Sequence, residues 1–306
     1  MDFIKTTDHA AVILGGVNMD ICGKPYKRTV KRDSNPGVIS ACPGGVARNI
    51  AHDLRLLGRE VELIAALGGD IYGAKLLENC KSLGIGMDMS PVFADERSST
   101  YLYITDERGD MQLAVADMDI TKRITPEFLA QYIDRINSYD CAVFDVNLEA
   151  ETLEYAAKHI TVPMYADTVS TAKAPRIKNV LPCLTAIKPN LIEAQTLTGK
   201  IWPEDCVKAL IDAGVKKVFL SLGADGVIAA DRREIVKIPC DRCKIVNTTG
   251  AGDAAMAAIV WADRQGFSLE DTARVSVRAG MITCMDESPN SKNLALLTEN
   301  GGRNEN

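Results

Sequence analysis

Short apolar runs alternate with amphipathic stretches along most of the chain. Ala11 to Gly15 is apolar at successive positions and Val61 to Ala66 at all but Glu62, as strands buried on both faces are. Between them Ala47, Ile50, Ala51, Leu54 and Leu57 recur at helical spacing, and Gly58 is the stop. Tyr72 to Leu83 reads as a helix ended by Gly84. After residue 125 the alternation resumes. Helices are expected at Phe128 to Asn137, Glu149 to His159, Leu191 to Leu197 and Cys206 to Gly214. Strands are expected at Ala142 to Val146, Pro163 to Asp167, Leu184 to Lys188 and Lys217 to Ser221. Gly226 to Ala230 and Glu234 to Pro239 read as a hairpin. Ile235 to Val246 reads as an extended run that leads, through a glycine-rich turn, into an apolar helix at Ala254 to Ala262. Such alternation predicts an α/β fold: a three-layer αβα, doubly wound, mostly parallel sheet.

Two stretches break the pattern. Residues 20–42 are turn-rich, with a loop at Asp33-Ser34-Asn35-Pro36-Gly37. Residues 91–119 hold two strand-like runs, Thr100 to Ile104 and Met111 to Val115, around a turn at Asp106 to Gly109. Both are expected to form a small β-sheet lid, inserted in one domain spanning residues 1–306.

A chain of 306 residues is long enough to bury roughly three quarters of its unfolded surface. The net charge is −6 and the basic residues are scattered. That excludes a nucleic-acid surface or a polybasic membrane patch, so an anionic ligand must be held by local donors. Met1 to Ala10 lacks a signal-peptide pattern, and no apolar run is long enough to span a membrane. Nine cysteines spread along the chain fit buried thiols in a reducing cytoplasm. Cys240 and Cys243 have metal-type spacing, but no second pair or histidine cluster accompanies them, so plain thiols are the expectation.

The candidate chemistry centres on Asn247-Thr248-Thr249-Gly250-Ala251-Gly252-Asp253. A glycine-rich turn at a helix start leaves backbone N–H groups unpaired, and the helix dipole adds positive charge there. The spot suits a phosphate. A carboxylate beside a bound anion is unfavourable unless Asp253 takes a proton from a nucleophile attacking that phosphate. Gly250 to Ala255 also fits a loose dinucleotide fingerprint, but that motif belongs in an early strand-turn-helix unit. Polar clusters recur at the carboxyl ends of the strands, where a doubly wound sheet binds ligands: Asn18 and Asp20, Asn147, Asp167 with Ser170 and Lys173, Asn190 with Glu193, Ser221 to Gly226, and Asp253. A helix N-terminus lowers a carboxyl pKa, so Asp253 is expected to be a weak base.

Four ordered motifs resemble the ribokinase-like (PfkB-type) family of carbohydrate and nucleoside kinases over nearly the whole chain. They are Gly44-Gly45-Val46-Ala47-Arg48-Asn49-Ile50-Ala51, Asn190-Leu191-Ile192-Glu193, Ser221-Leu222-Gly223-Ala224-Asp225-Gly226 and Thr248-Thr249-Gly250-Ala251-Gly252-Asp253. The resemblance implies ATP as co-substrate and Asp253 as the base, on a turn formed with Gly250, Ala251 and Gly252. The N–H groups of Ala251, Gly252 and Asp253 would stabilise the transferring phosphoryl group. It implies Mg²⁺ held near Asn190 and Glu193, and a nucleotide site lined by Asn190, Ser221, Gly223, Gly226 and Thr248. A ribose-like diol would meet Asn18, Asp20, Gly44, Gly45 and Asn49, with Asn147 at the boundary and Thr100 on the lid. Asn247 stands where relatives usually have aspartate and often bind a monovalent cation, which puts potassium activation in doubt.

Further stretches resemble the pseudouridine kinase branch of that family. They are Gly16 to Ile21, Asp33 to Gly37, Gly109-Asp110-Met111, Ala116 to Ile120, Asp167-Thr168-Val169-Ser170 with Lys173, and Asn247-Thr248-Thr249. The branch implies phosphorylation of the 5′-hydroxyl of pseudouridine; another nucleoside or ribose remains open, as does a catalytically silent ligand sensor. Relatives often pair lids across a dimer, and a homodimer is expected here.

Overall fold

Alternate residues of the first strand feed two different cores. Ala11 and Ile13 belong to one buried cluster and Val12 and Leu14 to another, so the sheet is covered on both faces. The coordinates are those of a computed structural model, and the structure describes residues 10–299. Residues 1–9 and 300–306 lie outside the described residues; the tail Glu299 to Asn306, whose polar sequence predicts fraying, falls there apart from Glu299.

The strands are β1 (Ala10–Leu14), β2 (Asn18–Pro25), β3 (Gly37–Gly44), β4 (Glu60–Ile64), β5 (Leu67–Gly68), β6 (Ile85–Gly86), β7 (Val92–Phe93), β8 (Thr100–Thr105), β9 (Met111–Asp117), β10 (Cys141–Asp145), β11 (Met164–Asp167), β12 (Ala186–Lys188), β13 (Lys217–Ser221), β14 (Val227–Ala230) and β15 (Ile235–Ile238). The helices are α1 (Val46–Leu56), α2 (Ile71–Ser82), α3 (Pro126–Ala130), α4 (Ile133–Ile136), α5 (Ala150–His159), α6 (Leu191–Thr198), α7 (Pro203–Asp212), α8 (Ala251–Arg264), α9 (Leu269–Cys284) and α10 (Leu296–Glu299). Nine strands form the main sheet in the order β15-β14-β13-β12-β11-β10-β1-β4-β6. All its pairings are parallel except β13–β14 and β14–β15. Helices α1, α2, α8 and α9 pack in one cluster and α5, α6 and α7 in the other.

The strand order reverses between β1 and β10, and in such a sheet the crevice beyond the strand ends at that point takes the ligand. A separate four-stranded sheet, β3-β2-β8-β9, is built from both stretches that broke the alternation. Its two hairpins join through a parallel pairing of β2 with β8.

The structure differs from the sequence reading in several places, among them the two-residue strands β5, β6 and β7, too short to leave a period in the sequence. The extended run stops at Ile238, because its partner β14 begins at Val227 and the chain beyond has no ladder to join. Phe128 to Asn137 is two short helices: bonds to the third residue back tighten the chain at Gln131 and Tyr132, while Leu129 and Ile136 both stay buried. Ala174–Cys183, left without an element, is a 3₁₀ segment that buries Ile177, Val180 and Leu181.

Candidate active site

Gly250 makes the turn ahead of α8. Its φ is 83°, and a Cβ there would meet the Pro289 carbonyl oxygen at 2.1 Å, so only glycine fits. Beyond it Ala251 N makes one long bond of 3.4 Å to the Thr248 carbonyl, and Ala254 N bonds the Gly250 carbonyl. The N–H groups of Gly252 and Asp253 have no acceptor among the described residues. The Asp253 side chain does not cap the helix; its Oδ2 accepts from Asn49 Nδ2 at 2.8 Å. Burial pushes its carboxyl up to about 8. Asp167 and, less strongly, Asp145 add like charge, against the Asn49 hydrogen bond and the Lys188 ammonium. This corrects the expectation of a weak base: desolvation outweighs the helix terminus, because the carboxylate takes none of the free N–H groups.

The β1–β2 side holds Asn18, whose Nδ2 donates to Asp20 Oδ1 at 2.6 Å. Gly44 lies opposite Asn18, and a Cβ on it would fall 2.0 Å from Asp20 Oδ2. Asp145, wholly buried at the end of β10, organises this side. It accepts from Gly16 N, Ala47 N, Asn147 N and Asn147 Nδ2, all at 2.9 Å. One carboxylate thereby joins the β1 loop, the start of α1 beside Gly45, and Asn147. The Asn147 oxygen accepts from Lys173, so both ends of that amide are engaged. Thr100 pairs with Met19, and its hydroxyl donates to the Ser98 carbonyl at 3.3 Å.

On the other side a cavity of about 540 Å³ is lined by Ser221, Gly223, Gly226, Thr248, Ala251 and Gly252, with apolar walls from Val227, Ile259 and Met281. Its size and mixture suit a small-molecule ligand. Asn190 lies in a second cavity that shares Ser221 and Gly223 with the first. Asn190 and Glu193 form a capping box: Asn190 Oδ1 accepts from Glu193 N, and Glu193 Oε2 accepts from Asn190 N, each at 2.9 Å. Glu193 Oε2 also accepts from Thr168 Oγ1 at 2.5 Å. The next residue, Val169, has φ 60°. Such a conformation costs about 1–3 kcal/mol in a β-branched residue and collects at functional sites. Asn247 is spent within the turn: its oxygen accepts from Thr249 N at 2.9 Å and its Nδ2 donates to the Glu287 carbonyl at 3.1 Å.

Sequence reasoning missed Lys188 as a site residue. Its Nζ is 2.9 Å from Asp167 Oδ2, and it would lie 3.4 Å from a Cβ on Gly252, so an ammonium stands beside the anion turn. It read as the last residue of a buried strand; only a charge ending an apolar run hinted at more. Asp145, Arg48 and Asn290 were missed because the bonds that set them apart, from Gly16 and Ala47 to Asp145 and between Arg48 and Asn290, span distant parts of the sequence.

The profile of the pfkB family of carbohydrate kinases matches residues 8–295. The chain is 34% identical over 294 residues to a pseudouridine kinase of Escherichia coli strain K12, covering 93% of each. It is 33% identical over 300 residues to an uncharacterized sugar kinase of the same strain, covering 96% of this chain and 83% of that one. Its fold superposes on an Arabidopsis thaliana ribokinase solved with ribose and ATP, with TM-score 0.84, 20% identity, and 94% and 97% of the two chains covered. The chain belongs to the pfkB family of carbohydrate kinases, ATP-dependent phosphotransferases that act on hydroxyl groups of small sugars or nucleosides.

Proposed function

We propose that this pfkB-family chain transfers the γ-phosphoryl group of ATP to the 5′-hydroxyl of pseudouridine, giving pseudouridine 5′-phosphate. The observation that carries the mechanism is the bond between Asn49 and Asp253, which brings the diol side onto the first turn of α8, where two N–H groups stand free. The choice of pseudouridine is supported by the branch motifs and by the Escherichia coli relative.

In this reading Asn18, Asp20, Gly44, Gly45 and Asn49 hold the ribose, and Asn147 and Thr100 border it. Asp253 accepts the hydroxyl proton as the oxygen attacks. The N–H groups of Gly252 and Asp253, with that of Ala251 and the Lys188 ammonium, take the charge of the transferring group. Ser221, Gly223, Gly226 and Thr248 line the nucleotide. Bound Mg²⁺ would neutralise phosphate charge. Asn190 and Glu193 fit it through intervening waters, because Asn190 Oδ1 and Glu193 Oε2 are engaged in the capping box. Asn247 presents a neutral amide whose oxygen also accepts from Thr249 N, where relatives usually have a carboxylate, and this reading assigns no step to a monovalent cation. Nine unpaired cysteines suit work in a reducing cytoplasm.

The test is a coupled ATP-consumption assay with Mg²⁺ on pseudouridine, uridine, cytidine, adenosine, inosine and ribose. Preference for pseudouridine over uridine is expected, with Asp253→Asn losing roughly 10²–10⁴-fold in kcat while binding ATP. Comparable turnover of ribose or of several nucleosides would overturn the substrate assignment. Near-normal turnover by Asp253→Asn would overturn the mechanism.

A further inference from the structure

Arg48 is 5% exposed, and each hydrogen bond it makes ends on an amide oxygen. Its Nη1 donates to Asn49 Oδ1 at 3.0 Å and to Asn290 Oδ1 at 2.6 Å, and its Nη2 donates to Asn79 Oδ1 at 2.8 Å. A buried guanidinium is costly and is kept where its donors serve a purpose. It can only donate, and an ionised carboxylate can only accept. An asparagine placed between the two therefore has one orientation that satisfies both, with its oxygen on the arginine and its nitrogen on the acid. Asn49 has that place, with Oδ1 on Arg48 and Nδ2 on Asp253.

Asn290 repeats the logic and ties down the backbone of Asn49. With its oxygen on Arg48, its Nδ2 donates to the Asn49 carbonyl at 3.2 Å and to the buried Asp53 at 2.8 Å. The segment before α10 thus grips α1 at the residue that meets Asp253. None of these partners was legible together in the sequence, since Asn290 lies 242 positions from Arg48.

We propose that Arg48 is a positioning residue for phosphoryl transfer: it fixes the amide of Asn49 so that Asn49 donates to Asp253 and holds that carboxylate in line. The proposal rests on Asp253 being the base. The charged groups that face Asp253 are Asp167 from β11, Lys188 from β12, Asp145 from β10 and Asp53 from α1. Asp53, Asp20, Cys42 and Cys80 lie around Arg48. Of the influences that favour the Asp253 anion, the Asn49 hydrogen bond ranks ahead of the Lys188 charge. An Asn49 amide free to rotate loses that donation, and Asp253 then holds its proton more tightly.

The experiment measures kcat, the KM for ATP and the pH profile of kcat/KM for Arg48→Met and Arg48→Lys. Arg48→Met is also made in an Asn49→Ala background, and Asp253→Asn is assayed beside them. Arg48→Met is expected to lower kcat about tenfold or more and to move the acid limb of kcat/KM to higher pH. The KM for ATP should stay within about twofold, because nucleotide contacts lie elsewhere. Arg48→Lys keeps a charged donor and should shift the limb less in the same direction, which keeps the proposal testable if the methionine variant does not fold. In the Asn49→Ala background the Arg48→Met shift should vanish, since the intermediary is gone. An equal shift in both backgrounds would show that Arg48 acts by charge alone and would overturn the proposal. An unchanged limb in Arg48→Met and Arg48→Lys would do the same. Either result, with Asp253→Asn inactive, sinks the positioning role and leaves the base intact. Normal turnover by Asp253→Asn removes both.

Discussion

The raised carboxyl of Asp253 makes the pH profile the sharpest test of the site. Burial lifts it from an ordinary 3.8 to about 8, and Asp167 adds to the rise. A base must be ionised to act, so kcat/KM should follow the ionised fraction on its acid side. With a pKa near 8 that fraction is about 1% at pH 6, about 9% at pH 7 and about 90% at pH 9. The expected rise is about ninefold from pH 6 to pH 7 and about tenfold more by pH 9. The assay uses saturating ATP and Mg²⁺, acceptor well below KM and constant ionic strength. A second arm removes the Lys188 ammonium, which favours the anion from beside the turn. Lys188→Met should move the limb to still higher pH. A profile flat from pH 6 to pH 9, or a limb near pH 4, would refute the reasoning, because the helix N-terminus would then outweigh burial.

Three further outcomes are expected. Asp253 binds its proton more tightly folded than unfolded, so its ionisation costs stability increasingly from about pH 4 to about pH 8; thermal melts should show Asp253→Asn gaining on the wild type at pH 8 and not at pH 4. Gly250→Ala should lose more stability in chemical denaturation than Gly199→Ala. Gly199 has a similar φ of 69° but open space around it, so that variant pays only about 1–2 kcal/mol for the left-handed backbone. Ile39, Leu102, Ile104, Leu113 and Val115 share one exposed face of the four-stranded sheet by register. We propose that a second copy of the chain covers this face. Sedimentation should show a dimer that Leu102→Glu with Leu113→Glu dissociates; a wild-type monomer at working concentration would end that idea.

What was legible in the sequence is what is local in space. The turn at Gly250 declares itself because one backbone conformation and one close carbonyl admit only glycine. Strands β1, β10, β13 and β14 declare themselves because both faces are buried, so their apolar runs are continuous. Asn190 and Glu193 satisfy each other within one helical turn. The protonation of Asp253 was misread because the helix terminus is a neighbour in sequence, whereas Asp167 and the burial that dominates come from other strands. Lys188 reads as an apolar strand's last residue until the parallel register sets it beside Asp167 and the anion turn. Arg48 sits inside a recognisable motif, yet what distinguishes it, three amide oxygens drawn from α1, α2 and the segment before α10, exists only after the chain has closed. The motif therefore identifies the reaction, while the groups that set the pH at which the base is ionised come from elements that no motif spans.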